Sequence, residues 1–156
     1  MNFNLGVTLE QLVDPATSLE RVLEGCAGAI PCGLFTTMRF HQDSMEVERL
    51  FSTLPDIYAV SGRKPKRDTP WGDKVLIARQ ANVGFGTDDI VWAFSDHETI
   101  LGLGLLAVLN VPIVRGDRVL GTINFLRPRP AFTEQEVATG QLLAAAIACR
   151  GDLGAG

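Results

Sequence analysis

The sequence predicts an α+β domain: an antiparallel sheet with helices from both chain ends on one face and a helical middle on the other. Three observations lead there. Two hairpin-like pairs of strands stand apart in the chain, with helical segments before, between and after them, which is not the alternating β-α-β order of a parallel sheet. The second pair, Leu105 to Val114 and Arg118 to Leu126, is apolar on both faces, as strands covered on both sides are. The last segment opens on a capping box, Thr133 with Glu136, and a staple, Phe132 with Val137.

The elements follow in order. Thr8 and Gln11 stand three apart as in a capping box, with Val7 and Leu12 placed as a staple. Asp14-Pro15 then reads as a new N-cap with proline at the first helical position. Leu19, Val22, Leu23, Cys26 and Ile30 recur at helical spacing and give one apolar stripe, ended by Gly28, Pro31 and Gly33. Leu34 to His41, rich in Phe and Thr, reads as a strand. After the turn Gln42-Asp43-Ser44, Glu46 to Thr53 reads as its antiparallel partner, with Val47, Arg49 and Phe51 on one face and Glu48, Leu50 and Ser52 on the other. Ile57 to Val60 continues or follows that strand after Pro55.

Ser61 to Gly72 reads as a loop carrying Arg63, Lys64, Lys66 and Arg67. Asp73 to Gln80 reads as a short helix, and Val83 to Gly86 is too short to assign. Thr87 starts a helix with Asp88 and Asp89 in its first turn, where they favour the macrodipole. Ile90, Phe94, His97 and Leu101 share a face, Ser95-Asp96 reads as a restart, and Gly102 and Gly104 terminate. Gly116-Asp117 turns the second hairpin. Val137, Gly140, Leu143, Ala144 and Ile147 form the buried stripe of the last helix. Residues 1–150 read as a single domain, and 151–156 as a frayed tail.

Composition bounds function. The 156 residues are 46% hydrophobic and 21% charged, which suits one globular domain rather than a disordered chain. The net charge of −4 disfavours binding to a phosphate backbone, so no nucleic-acid partner is expected. The odd count of cysteines, Cys26, Cys32 and Cys149, has no framework spacing and suits a reducing compartment. MNFNLG lacks the basic and apolar regions of a signal peptide. Gly102 to Val114 is too short to span a membrane, so no membrane partner and a cytoplasmic location are expected.

A resemblance then becomes visible. Leu103-Gly104-Leu105-Leu106-Ala107-Val108-Leu109-Asn110-Val111-Pro112-Ile113, Gly116-Asp117-Arg118-Val119-Leu120-Gly121-Thr122-Ile123-Asn124-Phe125 and Phe132-Thr133-Glu134-Gln135-Glu136 resemble the C-terminal half of a GAF domain. The resemblance is carried by residues 100–148, and the first half fits in element order. It implies a six-stranded antiparallel sheet with the N- and C-terminal helices on one face and a ligand pocket on the other. It also implies a sensory or regulatory module for a small molecule, dimeric through the terminal helices. No kinase, cyclase or helix-turn-helix segment is read beside it, so any output is expected from a partner or self-association.

Ligand signatures of the family are mostly missing. Asn82-Val83, Phe85 and Asp88-Asp89 echo the cyclic-nucleotide set but lack its Lys. The bilin-attaching Cys is followed by His, whereas Ala27, Gly33 and Arg150 follow the cysteines here. Methionine-R-sulfoxide reductases of this family need a reactive cysteine near Trp71-Gly72-Asp73, and none stands between Cys32 and Cys149. His97 is the one residue placed to serve as a haem ligand, but it reads more simply as a core histidine. Cys26 and Cys32 with two distant histidines do not make a zinc site. No cofactor, no metal and no catalysis are therefore expected, with a reductase or a dimeric module with a vestigial pocket as the alternatives.

The expected ligand contacts are Arg39, Tyr58, Lys64, Trp71, Phe94, His97, Asn110, Thr122 and Asn124. Cations of the basic loop would hold an anionic head, beside the aromatic pair Tyr58 and Trp71. Asn110, Thr122 and Asn124 interrupt apolar strands; they either satisfy backbone edges or supply the fixed polar groups of a small-molecule site. Ala144, Ala145, Ala146, Ala148 and Gly140 offer a small-residue surface for a second helix or for the sheet.

Overall fold

The computed structural model describes residues 9–153. The sheet has strands β1 (Leu34–His41), β2 (Glu46–Ser52), β3 (Arg63–Pro65), β4 (Asn82–Phe85), β5 (Ala107–Arg115) and β6 (Arg118–Arg127). Their order is β3-β2-β1-β6-β5-β4, and every neighbouring pair is antiparallel. Helices α1 (Leu9–Val13), α2 (Leu19–Ala29) and α6 (Glu134–Arg150) cover one face. The other face carries α3 (Pro70–Gly72), which runs into a π-helical turn at Asp73–Ile77, and then α4 (Thr87–Ala93) and α5 (His97–Gly102).

Strand alternation divides the apolar residues between these layers. Phe35, Leu109, Val111, Ile113, Ile123 and Phe125 pack on Val22, Leu23, Cys26 and Ile30 of α2 and on Leu143, Ala144 and Ile147 of α6. The opposite face holds two smaller clusters. Leu34, Val108 and Leu126 meet Ile90 and Ile100, while Phe40, Val47 and Val119 meet Trp71, Val75 and Leu76. Phe94 packs against both clusters.

Several local expectations are corrected. Helix α2 starts at Leu19 with Ser18 as its cap, because the Ser18 hydroxyl accepts the Arg21 N–H at 3.2 Å. The Asp14 carboxylate instead accepts from Ala16 N at 2.9 Å and shapes the preceding turn. Thr8 and Val7 lie outside the described residues, as do 154–156. Leu153 does not fray: it is 1% exposed, packed in the helix-side core beyond the left-handed cap at Gly151. Ile57 to Val60 is not a strand, and the third strand forms inside the basic loop, where Arg63–Pro65 pairs with β2. Gly140, Ala144 and Ala148 are spent on the sheet, whereas Ala145 of the same set stays exposed.

Two bulges set which side chains face which layer. The pairing of β1 with β2 passes from Thr37↔Phe51 to Met38↔Arg49, so Leu50 is an extra residue. Phe51 therefore turns to the helix side, against Phe35, while Arg49 and Val47 face the other way. The second bulge lies at Leu120 on β6, where Ile113↔Gly121 is followed by Val114↔Val119.

Candidate functional site

A small cavity of about 30 Å³ lies between the sheet and the α3–α5 layer, at the seam of its two apolar clusters. A single register row crosses the sheet beneath it: Asn82↔Asn110↔Asn124↔Thr36 on β4, β5, β6 and β1. Residues opposite one another in register project from the same face, so these polar side chains meet in the buried floor. Asn82 Nδ2 donates to Asn110 Oδ1 at 3.1 Å, Asn110 Nδ2 to Asn124 Oδ1 at 2.9 Å, and Asn124 Nδ2 to the hydroxyls of Thr36 at 3.2 Å and Thr122 at 3.1 Å. Lys74 Nζ donates to Asn82 Oδ1 at 3.1 Å and closes the far end.

Trp71 joins this floor to the roof. Its indole Nε1 donates to Asn110 Oδ1 at 3.0 Å, and the ring is buried. The sequence Lys66 to Gly72 holds it there. The Thr69 hydroxyl donates to Lys66 O at 2.7 Å and accepts from Gly72 N at 3.0 Å, capping α3 with Pro70 at its start.

The wall toward β2 and β3 is charged. Arg49, Lys64 and Lys66 line the cavity with one carboxylate, Asp96, at the start of α5. Lys64 Nζ pairs with Asp96 Oδ2 at 3.2 Å. Burial opposes ionisation of Asp96, but the Lys64 charge and hydrogen bond outweigh it and hold the carboxyl below its usual range. Lys66 is 9% exposed, its ammonium 4.9 Å from the centre of the Trp71 ring. Burial, and then the neighbouring charge of Lys64, pulls its ammonium below the usual lysine value. Arg49 donates through Nη1 to Ala59 O at 3.0 Å and stacks on the Tyr58 ring. Arg49 Nε, buried in this wall, has no hydrogen-bond partner among the described residues, and the Tyr58 hydroxyl has the Asp96 carboxylate beside it. Burial, with the Asp96 charge beside it, pushes the Tyr58 hydroxyl up and keeps it protonated.

Tyr58, Lys64, Trp71, Phe94, Asn110 and Asn124 thus line one cavity. Thr122 lies beside it as a support for Asn124. Arg39 is a correction: strand alternation puts it on the helix face, where its Nε donates to Leu153 O at 3.2 Å. His97 is another: it borders a separate open recess with Trp92 and Pro65, outside Trp71. Sequence reading did not select Arg49, Lys66, Asp96 or Thr36 as contacts. The signal for Arg49 and Lys66 was a cation in a segment that must be covered, but only the β2 bulge and the β3 pairing decide their direction.

The cysteines stand away from this cavity. Burial pushes Cys26 up to about 12 and, against the charge of Arg127, Cys32 up to about 11. Cys149 is exposed on α6. Among the described residues no group of His, Cys, Asp and Glu could hold a metal ion, and no helix is long and apolar enough to cross a membrane.

A family model for the GAF domain matches residues 19–150. The chain belongs to the GAF family. Solved GAF domains share its fold. That of a GAF domain/HD domain protein from Geobacter sulfurreducens superposes with a TM-score of 0.68 at 18% identity, over 94% of this chain and 98% of that one. The GAF domain of a phosphoenolpyruvate-protein phosphotransferase from Coxiella burnetii gives 0.69 at 16%, over 93% and 90%. The chromophore-binding domain of a bacteriophytochrome from R. palustris gives 0.68 at 15%, over 97% and 61%. No curated protein matches the chain. GAF domains occur in sensor proteins, often as ligand-binding regulatory domains.

Proposed function

We propose that this GAF domain is a non-catalytic sensor that takes a small anionic or amphipathic metabolite into the cavity beneath Trp71. One observation carries the reading. Arg49, Lys64 and Lys66 face a single carboxylate in one small cavity, the Arg49 Nε donor there is unpaired, and the Tyr58 hydroxyl has that same carboxylate beside it. A buried donor without a partner is costly, and a ligand oxygen relieves it. The amide floor is already satisfied within itself, so it fixes shape while the cations supply attraction.

The test is a thermal-shift and calorimetric screen of small carboxylates and phosphates. A saturating ligand stabilises by RT ln(1 + [L]/Kd), about 2.7 kcal/mol at 100 Kd. Arg49→Met is expected to abolish the shift. A screen without any shift sinks the reading.

A thiol reductase is the competing reading. It needs a low-pKa cysteine at the substrate, and both Cys26 and Cys32 are shifted the other way by burial. Replacing all three cysteines by Ser is expected to cost no reductase activity, because there is none to lose. In the same proposal the domain pairs with a second copy through its terminal helices. Ala138, Leu142, Ala145 and Cys149 leave an exposed, uncharged face along α6. Sedimentation of Leu142→Glu, expected to be monomeric, checks it.

A further inference from the structure

We infer that the cavity is a receptor for a carboxylate group, and that Asp96 holds the carboxylate's place until a ligand displaces it. This deepens the sensor reading above and rests on it.

The position of Asp96 is the first reason. It occupies the cap of α5, where an aspartate ordinarily accepts a helix N–H. It makes no such bond. Its carboxylate turns into the cavity wall and pairs with Lys64 at 3.2 Å, with Tyr58, Arg49 and Lys66 in the same wall. The protein thereby gives its cation cluster an internal anion at the expense of a helix cap.

The second reason is the donor set. Arg49 Nε has only a proton to offer, and the Tyr58 hydroxyl stays protonated. Both are more than nine-tenths buried. An ionised carboxylate has two oxygens and about four lone-pair sites, and charge-assisted bonds to such donors are the stronger kind. One carboxylate can therefore accept from Arg49, Tyr58 and a lysine together.

Size is the third. About 30 Å³ holds roughly two water molecules, comparable to the three heavy atoms of a carboxylate. A short apolar body attached to it would meet Leu34, Ile100 and Leu126. Displacing Asp96 also loosens the junction of α4 and α5, next to Phe94, which ties the two apolar clusters together.

The experiment titrates the full chain with acetate and propionate, at constant ionic strength, by calorimetry and amide NMR, with acetamide as the neutral control. The variant is Asp96→Asn, which keeps the side chain's shape and removes its charge; Asp96→Ser is the second variant should the first fold poorly. The variant is expected to bind acetate at least tenfold more tightly than the wild type, with acetamide unchanged. That result supports the proposal even where the wild type does not saturate. Acetate binding to the wild type that is equal or weaker in both variants overturns the role of Asp96 and leaves the sensor reading standing. Equal tightening for acetamide overturns it too, because charge is then not what Asp96 supplies. No carboxylate binding by any of the proteins overturns the carboxylate receptor, and the sensor reading is then decided by the phosphates of its own screen.

Discussion

Asn110 donates its Nδ2 to Asn124 Oδ1 across 2.9 Å, and this bond orders the floor of the cavity. It leaves Asn110 Oδ1 to accept from Trp71 and Asn82, and Asn124 Nδ2 to donate to Thr36 and Thr122. The bonds run in one direction across four strands. A row of this kind tolerates no missing member, because each buried amide group without a partner costs about 1–3 kcal/mol.

Asn110→Ala removes the acceptor of two donors and the donor of one acceptor. It is expected to destabilise the domain by about 3–5 kcal/mol in urea unfolding. Thr122→Val removes one acceptor at the edge of the row and is expected to cost only about 1–2 kcal/mol. A small effect for Asn110→Ala would show that the amides act independently.

The second prediction concerns the joint between β6 and α6. Arg127 Nη1 and Nη2 reach Glu136 at 2.7 and 2.6 Å, and its other bonds go to the carbonyls of Pro31, Pro130 and Ala131. The hydrogen bonds from Arg127, ahead of the other influences, hold the Glu136 carboxyl below its usual value. A depressed folded pKa means stability that is complete above about pH 4.3, the unfolded glutamate value, and is lost as the pH falls through the folded value. Glu136→Gln is expected to cost about 2 kcal/mol at pH 7 and to flatten the acid limb of the stability profile. Unchanged acid dependence would remove Glu136 as its source.

A third prediction uses the thiols. Cys149 is exposed, whereas Cys26 and Cys32 are held far toward the protonated form. The native protein is expected to release one equivalent rapidly to a disulfide reagent at pH 8, and the other two only on unfolding. Rapid reaction of Cys32 would instead reveal an opening of the β1 end.

Glycine contact gives the fourth. A Cβ at Gly121 would clash with the Met38 carbonyl oxygen on the neighbouring β1, whereas one at Gly102 meets nothing within 4 Å. Gly121→Ala is expected to prevent folding or to cost more than about 3 kcal/mol. Gly102→Ala is expected to stabilise by about 0.4–1 kcal/mol through the unfolded chain. Thermal unfolding of the pair separates the two effects.

What was legible in the chain was whatever is decided locally. Leu34–His41 and the Thr133–Glu136 box stand where the pattern puts them, because a β-rich run and a cap are set by near neighbours. Residues 100–148 carried the family rhythm. The site was legible in its types more than in its directions. Asn110, Asn124, Trp71 and Tyr58 announce themselves as polar or aromatic groups in covered segments. Arg39 and Arg49 look alike in a strand, and only register sends them to opposite faces. The bulge at Leu50 and the short edge strand Arg63–Pro65 depend on partners far along the chain. Asp96 was readable as a cap, and its turn toward Lys64 was not.

The last prediction sets stability against binding at Lys66. Its ammonium is buried beside Lys64 and Arg49, and it has the Trp71 ring but no ion pair among the described residues. A folded pKa below the unfolded one means that the charged form opposes folding, so stability is expected to rise as the pH approaches the unfolded lysine value of about 10.4. Lys66→Met fills the same channel without the charge. It forfeits a cation–π contact of about 0.5–2 kcal/mol and removes a desolvation cost that exceeds it. The variant is expected to be more stable than the wild type by about 1 kcal/mol at pH 7 and to lose that advantage toward pH 10. Anion binding is expected to weaken at least tenfold in the same protein. A residue kept for packing would show the reverse, a less stable protein with unaltered binding, so chemical unfolding and titration of this one variant decide which role Lys66 serves.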